Sequence, residues 1–369
     1  MDVRLLIEPR HWSVIPWYIW ATFFFVFGSV VGSFLNVCIY RIPRGLSIVW
    51  PPSHCPACQY RIPWYLNIPI LSWLMLSGRC RNCGAPIAFR YIAVELITAL
   101  LFVGIWFFYW DKSPWLVLAY CVLVSGLVVA SFIDAEHYII PDEITIGGMI
   151  VGFIMSGLIP ELHEKTGAVE GFALGIMGIV AGVGIAYLVL WLGRLAFGRY
   201  RVQIPANTKV FFGDAGVWVG NRMIPYEEVF NSSRDVIRCH ARRVELVDRC
   251  YWDIMVRLSP RALQIGDDRF NPEDVSFMEL ETDCLVFPRE AMGWGDVKFL
   301  GAIGAFVGWK GVIFSIMWGS ILGGLVGMIL IVTGRRGWGS QLPYGPYLAM
   351  GTVLWLFGGQ TFWKLLIGG

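Results

Sequence analysis

The chain has 369 residues, of which 56% are hydrophobic and only 15% charged, with a formal net charge of +2. Soluble globular chains carry about 25% charged residues, so this composition excludes an ordinary soluble protein. The near-neutral balance says little about nucleic acid, but no basic stripe interleaved with aromatics appears, so no nucleic-acid partner is expected.

The apolar residues are gathered into long runs. Met1 to Arg10 has no cationic start leading into a short apolar core and small-residue cleavage site, so the first run reads as a retained span. That run is Pro16 to Tyr40, followed by Tyr91 to Trp110, Pro114 to Ile133, Ile144 to Ile159 and Gly171 to Phe197. After a polar interval come Val297 to Trp309, Val312 to Val332 and Pro346 to Ile367. About 20 apolar residues cross a bilayer as a helix. The pattern predicts an all-α polytopic membrane protein with about eight transmembrane helices. In chain order the expected domains are 1–40, a segment with the first helix, a 41–90 loop, 91–198 with the second to fifth helices, a 199–291 insert, and 292–369 with the last three.

The 41–90 loop carries Arg41, Arg44, Arg61, Arg79, Arg81 and Arg90 and no acid. Short cation-rich loops stay in the cytoplasm. The outward connections hold only Lys112, Lys165 and Lys310, and Arg335 and Arg336 mark another inward loop. The expected location is therefore a membrane crossed many times, with the first loop and the insert in the cytoplasm. The insert alternates in Arg243-Val244-Glu245-Leu246-Val247 and carries turn signals at Pro260 and Gly266-Asp267-Asp268. It reads as a β-rich or α+β domain.

Cys55-Pro56-Ala57-Cys58 and Cys80-Arg81-Asn82-Cys83 are two CxxC knuckles with residues 59–79 between them. Each can supply two thiolates to one tetrahedral Zn2+, and four sulfurs leave no open position, which points to a structural ion. Two disulfides or a redox pair are the competing readings; cytoplasmic placement disfavours disulfides, and a redox pair needs only one CxxC. His54 is unneeded as a ligand. Cys38 and Cys121 lie in apolar runs and read as inert; Cys239, Cys250 and Cys284 lack metal spacing.

Two carboxylates stand at the ends of apolar runs. Asp134 closes the third span, and Asp296 opens the sixth in Gly293-Trp294-Gly295-Asp296-Val297-Lys298. Counting spans puts both at the cytoplasmic ends of their helices. A charged group at that depth is costly and marks a functional hypothesis. Two carboxylates brought together hold one proton between them; the ionised one can activate water while the other protonates a scissile carbonyl. Taken singly, each reads as well as a solvated helix cap. Asp214 and Asp267 also follow glycines but do not open apolar helices, and are set aside. Gly28, Gly32 and Asn36 share one helical face, suited to close helix contact. Glu95 either pairs with a loop arginine or sits in a substrate or methyl-transfer site. Lys298 either holds a neighbouring carboxylate or, the plainer reading, snorkels. His137 reads as an interfacial histidine and Ser33 as a packing hydroxyl.

The motifs together resemble the bacterial type IV prepilin peptidases. Gly32-Ser33-Phe34-Leu35-Asn36-Val37 with Tyr40-Arg41-Ile42-Pro43 is similar to their first-helix signature. The CxxC pairs resemble their zinc loop, and Tyr91 to Leu96, with Glu95, the start of their second helix. Asp134 with Ile140-Pro141-Asp142, and Gly293 to Lys298 with Asp296, resemble their two aspartate motifs, the last being the GxGD signature. The resemblance covers roughly 18–198 and 290–369. It implies an aspartyl endopeptidase, with Asp134 and Asp296 as the catalytic pair, that cuts basic leaders from prepilins and pseudopilins at the cytoplasmic membrane face. It also implies N-methylation of the new N-terminus with S-adenosylmethionine in many members, although no G-x-G-x-x-G occurs here. Partners would include membrane lipid and components of pilus or type II secretion assembly. The insert departs from the family pattern and leaves substrate range open. The alternatives are another GxGD intramembrane protease and a non-enzymatic transporter or scaffold.

Overall fold

The computed structural model describes residues 15–197, 199–205, 208–213, 215–220, 222–230, 235–275, 277–288, 292–334 and 342–367. Met1 to Arg10, Arg335, Arg336 and Asp214 lie outside the described residues. The chain divides into two compact units, Met1–Tyr187 with Gly293–Gly369, and Leu188–Met292.

Seven helices carry the apolar runs, all in the first unit except the part of α5 after Tyr187: α1 (Trp17–Arg41), α2 (Arg90–Tyr109), α3 (Pro114–His137), α4 (Asp142–Leu158), α5 (Ala168–Phe197), α6 (Trp294–Val332) and α7 (Gly345–Leu354). Among the described residues, five helices are long and apolar enough to cross a membrane: Trp17–Arg44, Arg90–Tyr109, Pro114–His137, Ala168–Gly193 and Trp294–Val332. Two expected runs join in α6, where Gly308 (φ 68°, ψ 178°) interrupts the helical path. Only glycine takes that conformation without steric cost, so the break falls there. The expected last run is also divided, because Gly358 leaves helical geometry before a short helix at Gln360–Ile367.

Helix contacts follow the small residues. A Cβ placed on Gly28 would meet Ala99 Cα at 2.8 Å, and one on Gly32 would meet Glu95 Cα at 2.7 Å. Asn36, next on the same face of α1, donates from Nδ2 to the Tyr91 carbonyl of α2 at 2.9 Å. Gly178 of α5 faces the backbone of Gly304 in α6, and the two approach too closely for any side chain.

The second unit is built on a nine-stranded sheet in the order β4-β3-β2-β9-β5-β6-β7-β8, with β1 also paired to β9. The strands are β1 (Arg199–Gln203), β2 (Lys209–Phe212), β3 (Gly216–Val219), β4 (Arg222–Pro225), β5 (Ile237–Glu245), β6 (Cys250–Ser259), β7 (Ala262–Ile265), β8 (Asp268–Phe270) and β9 (Met278–Pro288), all antiparallel. Alternation sends Ile237, Cys239 and Ala241 of β5 into an apolar core with Leu263, Ile265 and Leu285. The turn signals were correctly placed: Pro260 lies between β6 and β7, and Gly266, at φ 59°, between β7 and β8.

Candidate active site

Asp134 lies in the last turn of α3. Tyr138 ends that helix in the left-handed conformation, its N–H donating to the Asp134 carbonyl at 2.9 Å. The chain then runs through Ile140 and Pro141 into α4, whose first turn carries Asp142 and Glu143. Acids suit that position because the helix N-terminus is electropositive.

Asp296 is the third residue of α6. Its Oδ2 accepts the Gly293 N–H at 3.2 Å, satisfying one of the free donors at the helix start. Asp134 Oδ2 accepts the Gly345 N–H at 2.7 Å, at the N-terminus of α7. Each carboxylate therefore faces a helix N-terminus, which compensates part of the loss of water around it. Both are buried, with 5% of Asp134 and 9% of Asp296 exposed.

Ile140 connects the two acids. A Cβ on Gly295 would meet Ile140 Cβ at 3.2 Å, and one on Gly345 would meet Ile140 Cδ1 at 3.2 Å and Asp134 Oδ2 at 2.9 Å. The glycines of the two segments thus close around a single isoleucine. Asp296 Oδ1 is buried with no hydrogen-bond partner among the described residues. A buried acceptor left open in this way is where a water or a protonated partner would bind.

The expected residues fall into three groups. Asp134, Asp142, Gly293, Gly295, Asp296 and Lys298 come together at this junction. Lys298 pairs with Asp142, Nζ to Oδ1 at 2.6 Å, so the snorkelling reading gives way to an ion pair. Asn36 and Glu95 belong to the packing of α1, α2 and the cysteine loop. Glu95 accepts the Ile70 N–H at 2.7 Å and a bond from Ser33. Of the two readings of Glu95, the loop arginine gives way to this backbone donor; Arg90 instead pairs with Glu136 at 2.6 Å. Ile70 has φ 64° and ψ −53°, and Leu71 N–H closes the turn onto the Pro69 carbonyl at 2.6 Å. That conformation is strained for a β-branched residue, and the Glu95 carboxylate holds it in place.

The third group is Cys55, Cys58, Cys80 and Cys83, whose sulfurs all lie within 4.8 Å of one another. Cys55 and Cys83 are 3.9 Å apart, and Cys58 and Cys80 4.0 Å. Four sulfurs at about 2.3 Å from one ion would be separated by close to these distances, whereas a disulfide needs about 2.05 Å. The knuckles repeat one another: Gln59 and Gly84 N–H donate to the carbonyls of Cys55 and Cys80, and both take positive φ. The Asn82 amide, followed by a backbone N–H, holds the Cys58 thiol down to about 6, and backbone N–H groups lower Cys80. Cys58 and Cys80 therefore favour the thiolate form that ligates metal, whereas the neighbouring thiols push Cys83 up to about 11. His54 turns away, Nδ1 lying 3.0 Å from the Pro52 carbonyl.

Sequence reasoning missed Gly345, and it named Ile140 only within its motif, without its place between Gly295 and Gly345. The turn residues Pro343-Tyr344-Gly345-Pro346 signal a helix start, but nothing local links that start to Asp134.

The fold and site define a polytopic membrane protein with two buried carboxylates at helix ends and a four-cysteine loop. The Bacterial Peptidase A24 N-terminal domain matches residues 26–109, and the Type IV leader peptidase family matches 121–219 and 275–328. A "Prepilin leader peptidase/N-methyltransferase" of Myxococcus xanthus (strain DK1622) is 42% identical over 229 residues, 58% of this chain and 66% of that protein. The protein of the same name from Aeromonas hydrophila is 28% identical over 390 residues, 98% of this chain and 99% of that one. The "Type 4 prepilin-like proteins leader peptide-processing enzyme" of Escherichia coli O78:H11 (strain H10407 / ETEC) is 36% identical over 216 residues, 54% of this chain and 76% of that protein. The chain belongs to the type IV leader peptidase family. No solved structure matches it.

Proposed function

We propose that this chain is an aspartyl endopeptidase of the bacterial inner membrane that removes leader peptides from prepilins and pseudopilins, with Asp134 and Asp296 as its catalytic pair. The observation that carries this reading is the meeting of two buried carboxylates, distant in sequence, around Ile140. One carboxylate takes a proton from water as it attacks the scissile carbonyl, and the protonated partner donates to the developing oxyanion. The Gly345 and Gly293 N–H groups hold the two side chains in place during that exchange.

The arginine-rich loop is assigned to the cytoplasm. The shorter helices α4 and α7 and the segment of α6 before Gly308 complete the set of eight spans. The four loop cysteines hold a structural zinc, which closes the loop and takes no part in hydrolysis. The relatives' names include N-methyltransferase, and we extend that activity to this chain, with S-adenosylmethionine as the donor. Among the described residues no glycine-rich nucleotide loop stands out, so the proteolytic steps are derived without that cofactor.

The test is to incubate the purified protein with a candidate prepilin, with and without S-adenosylmethionine, and read the new N-terminus by mass spectrometry. A cut product supports the peptidase reading, and a methyl group on it supports the second activity. An uncut prepilin across a panel of candidates contradicts the proposal.

A further inference from the structure

The insert carries a row of arginines that the peptidase chemistry does not use. Arg201 of β1 is opposite Val286 of β9, which is opposite Arg238 of β5. Arg238 is opposite Arg257 of β6, Arg257 opposite Gln264 of β7, and Gln264 opposite Arg269 of β8. Directly opposed residues share a sheet face. This face is the one away from the apolar core, because Cys239, Val256, Leu285 and Phe287, neighbours of the row along their strands, are buried. Arg201, Arg257 and Arg269 are exposed and Arg238 is half-buried.

Among the described residues, none of the four arginines has an acidic partner. The nearby acids are engaged otherwise: Asp283 pairs with Arg242 at 2.6 Å, and Asp253 lies 3.6 Å from His240. Like charges directly opposite one another destabilise a sheet, so Arg238 against Arg257 is a cost that the fold itself does not repay. A groove of about 390 Å³ opens beside the row, lined by Arg201, Arg238, Arg242 and His240 together with Asp253 and Asp283.

We propose that this row binds the phosphate headgroups of anionic phospholipid. Strands lie about 4.8 Å apart, so the arginines follow one another at about 5 to 10 Å across the sheet. A shallow, extended array of this kind suits many singly charged headgroups better than one enclosed ligand. Guanidinium groups bind phosphate through paired hydrogen bonds. The chain supplies the partner: only residues 198–200 separate Arg201 from the end of α5, and only 289–293 separate β9 from α6. Basic segments beside a membrane span are drawn to anionic lipid. A basic leader peptide is repelled by the same surface.

The test is hydrogen exchange of the full chain in nanodiscs of phosphatidylcholine, with or without phosphatidylglycerol. The expected result is exchange slowed about fivefold or more in Arg199–Gln203, Ile237–Glu245 and Cys250–Ser259 when phosphatidylglycerol is present. The slowing is lost in Arg238→Gln/Arg257→Gln, which relieves a repulsive pair and therefore folds at least as well. Equal exchange in both discs overturns the proposal, as does slowing that survives the double substitution. Slowing produced in phosphatidylcholine discs by polyglutamate or inorganic phosphate, and not by phosphatidylglycerol, also overturns it, in favour of an acidic peptide or a free anion. None of these readings depends on prepilin cleavage.

Discussion

Lys298 Nζ lies 2.6 Å from Asp142 Oδ1, joining the helix that opens near Asp296 to the helix that follows Asp134. The pair braces the two aspartate segments from the side. With side chains 35% and 58% exposed, it contributes no more than about 1 kcal/mol to stability. Its effect is expected in the reaction. Lys298→Met should leave the melting temperature nearly unchanged and lower cleavage about tenfold through misplacement of the acids. Asp142→Asn should do the same, and the double variant should be no worse than either single one. Additive losses would show that the residues act separately.

The Gly345 amide is the protein donor that reaches Asp134 Oδ2 at 2.7 Å. A Cβ at that position would stand 2.9 Å from the same oxygen. Gly345→Ala should push the carboxylate off its donor, losing a charge-assisted bond of about 1.5–3 kcal/mol. Cleavage rates should fall roughly ten- to a hundredfold by that loss, with the protein still inserted and folded by circular dichroism.

The α1–α2 contact gives a test of packing alone. Gly32→Leu would force a side chain into Glu95 Cα, which lies 2.7 Å from the position of a Cβ. Overpacking of this kind costs about 1–3 kcal/mol, and a thermal melt in detergent should show the loss. An unchanged melt would mean that the helices can separate freely.

The legible parts of the molecule are those whose chemistry is local. Gly28, Gly32 and Asn36 share a helix face by spacing alone, and that face packs on α2. The cysteine knuckles announce their own geometry, and the four sulfurs converge. The insert's alternation pointed to strands, yet nothing in it revealed that β9 would pair with β1, β2 and β5 together. Long-range pairing leaves no local trace. For the same reason Gly345 and the contacts of Ile140 went unseen, since each matters only through residues brought from elsewhere in the chain. Lys298 was misjudged because snorkelling is the cheaper use of a lysine at a helix end, and the carboxylate of Asp142 overrode it.

The cysteine loop should hold about one zinc per chain. Cys58→Ser should lower metal content and loosen the loop. Acidification should act on the intact site in the same direction, because protons compete with the ion for the four thiolates. Elemental analysis across a pH series checks both, and full zinc in Cys58→Ser would count against the four-thiolate site.

The central claim is that Asp134 and Asp296 act as one unit. The direct measurement is prepilin cleavage by Asp134→Asn and Asp296→Asn, each purified with its melting temperature recorded. The account predicts that each substitution alone lowers cleavage by at least about a hundredfold while the protein inserts and melts as before. Substantial cleavage by either variant would contradict it.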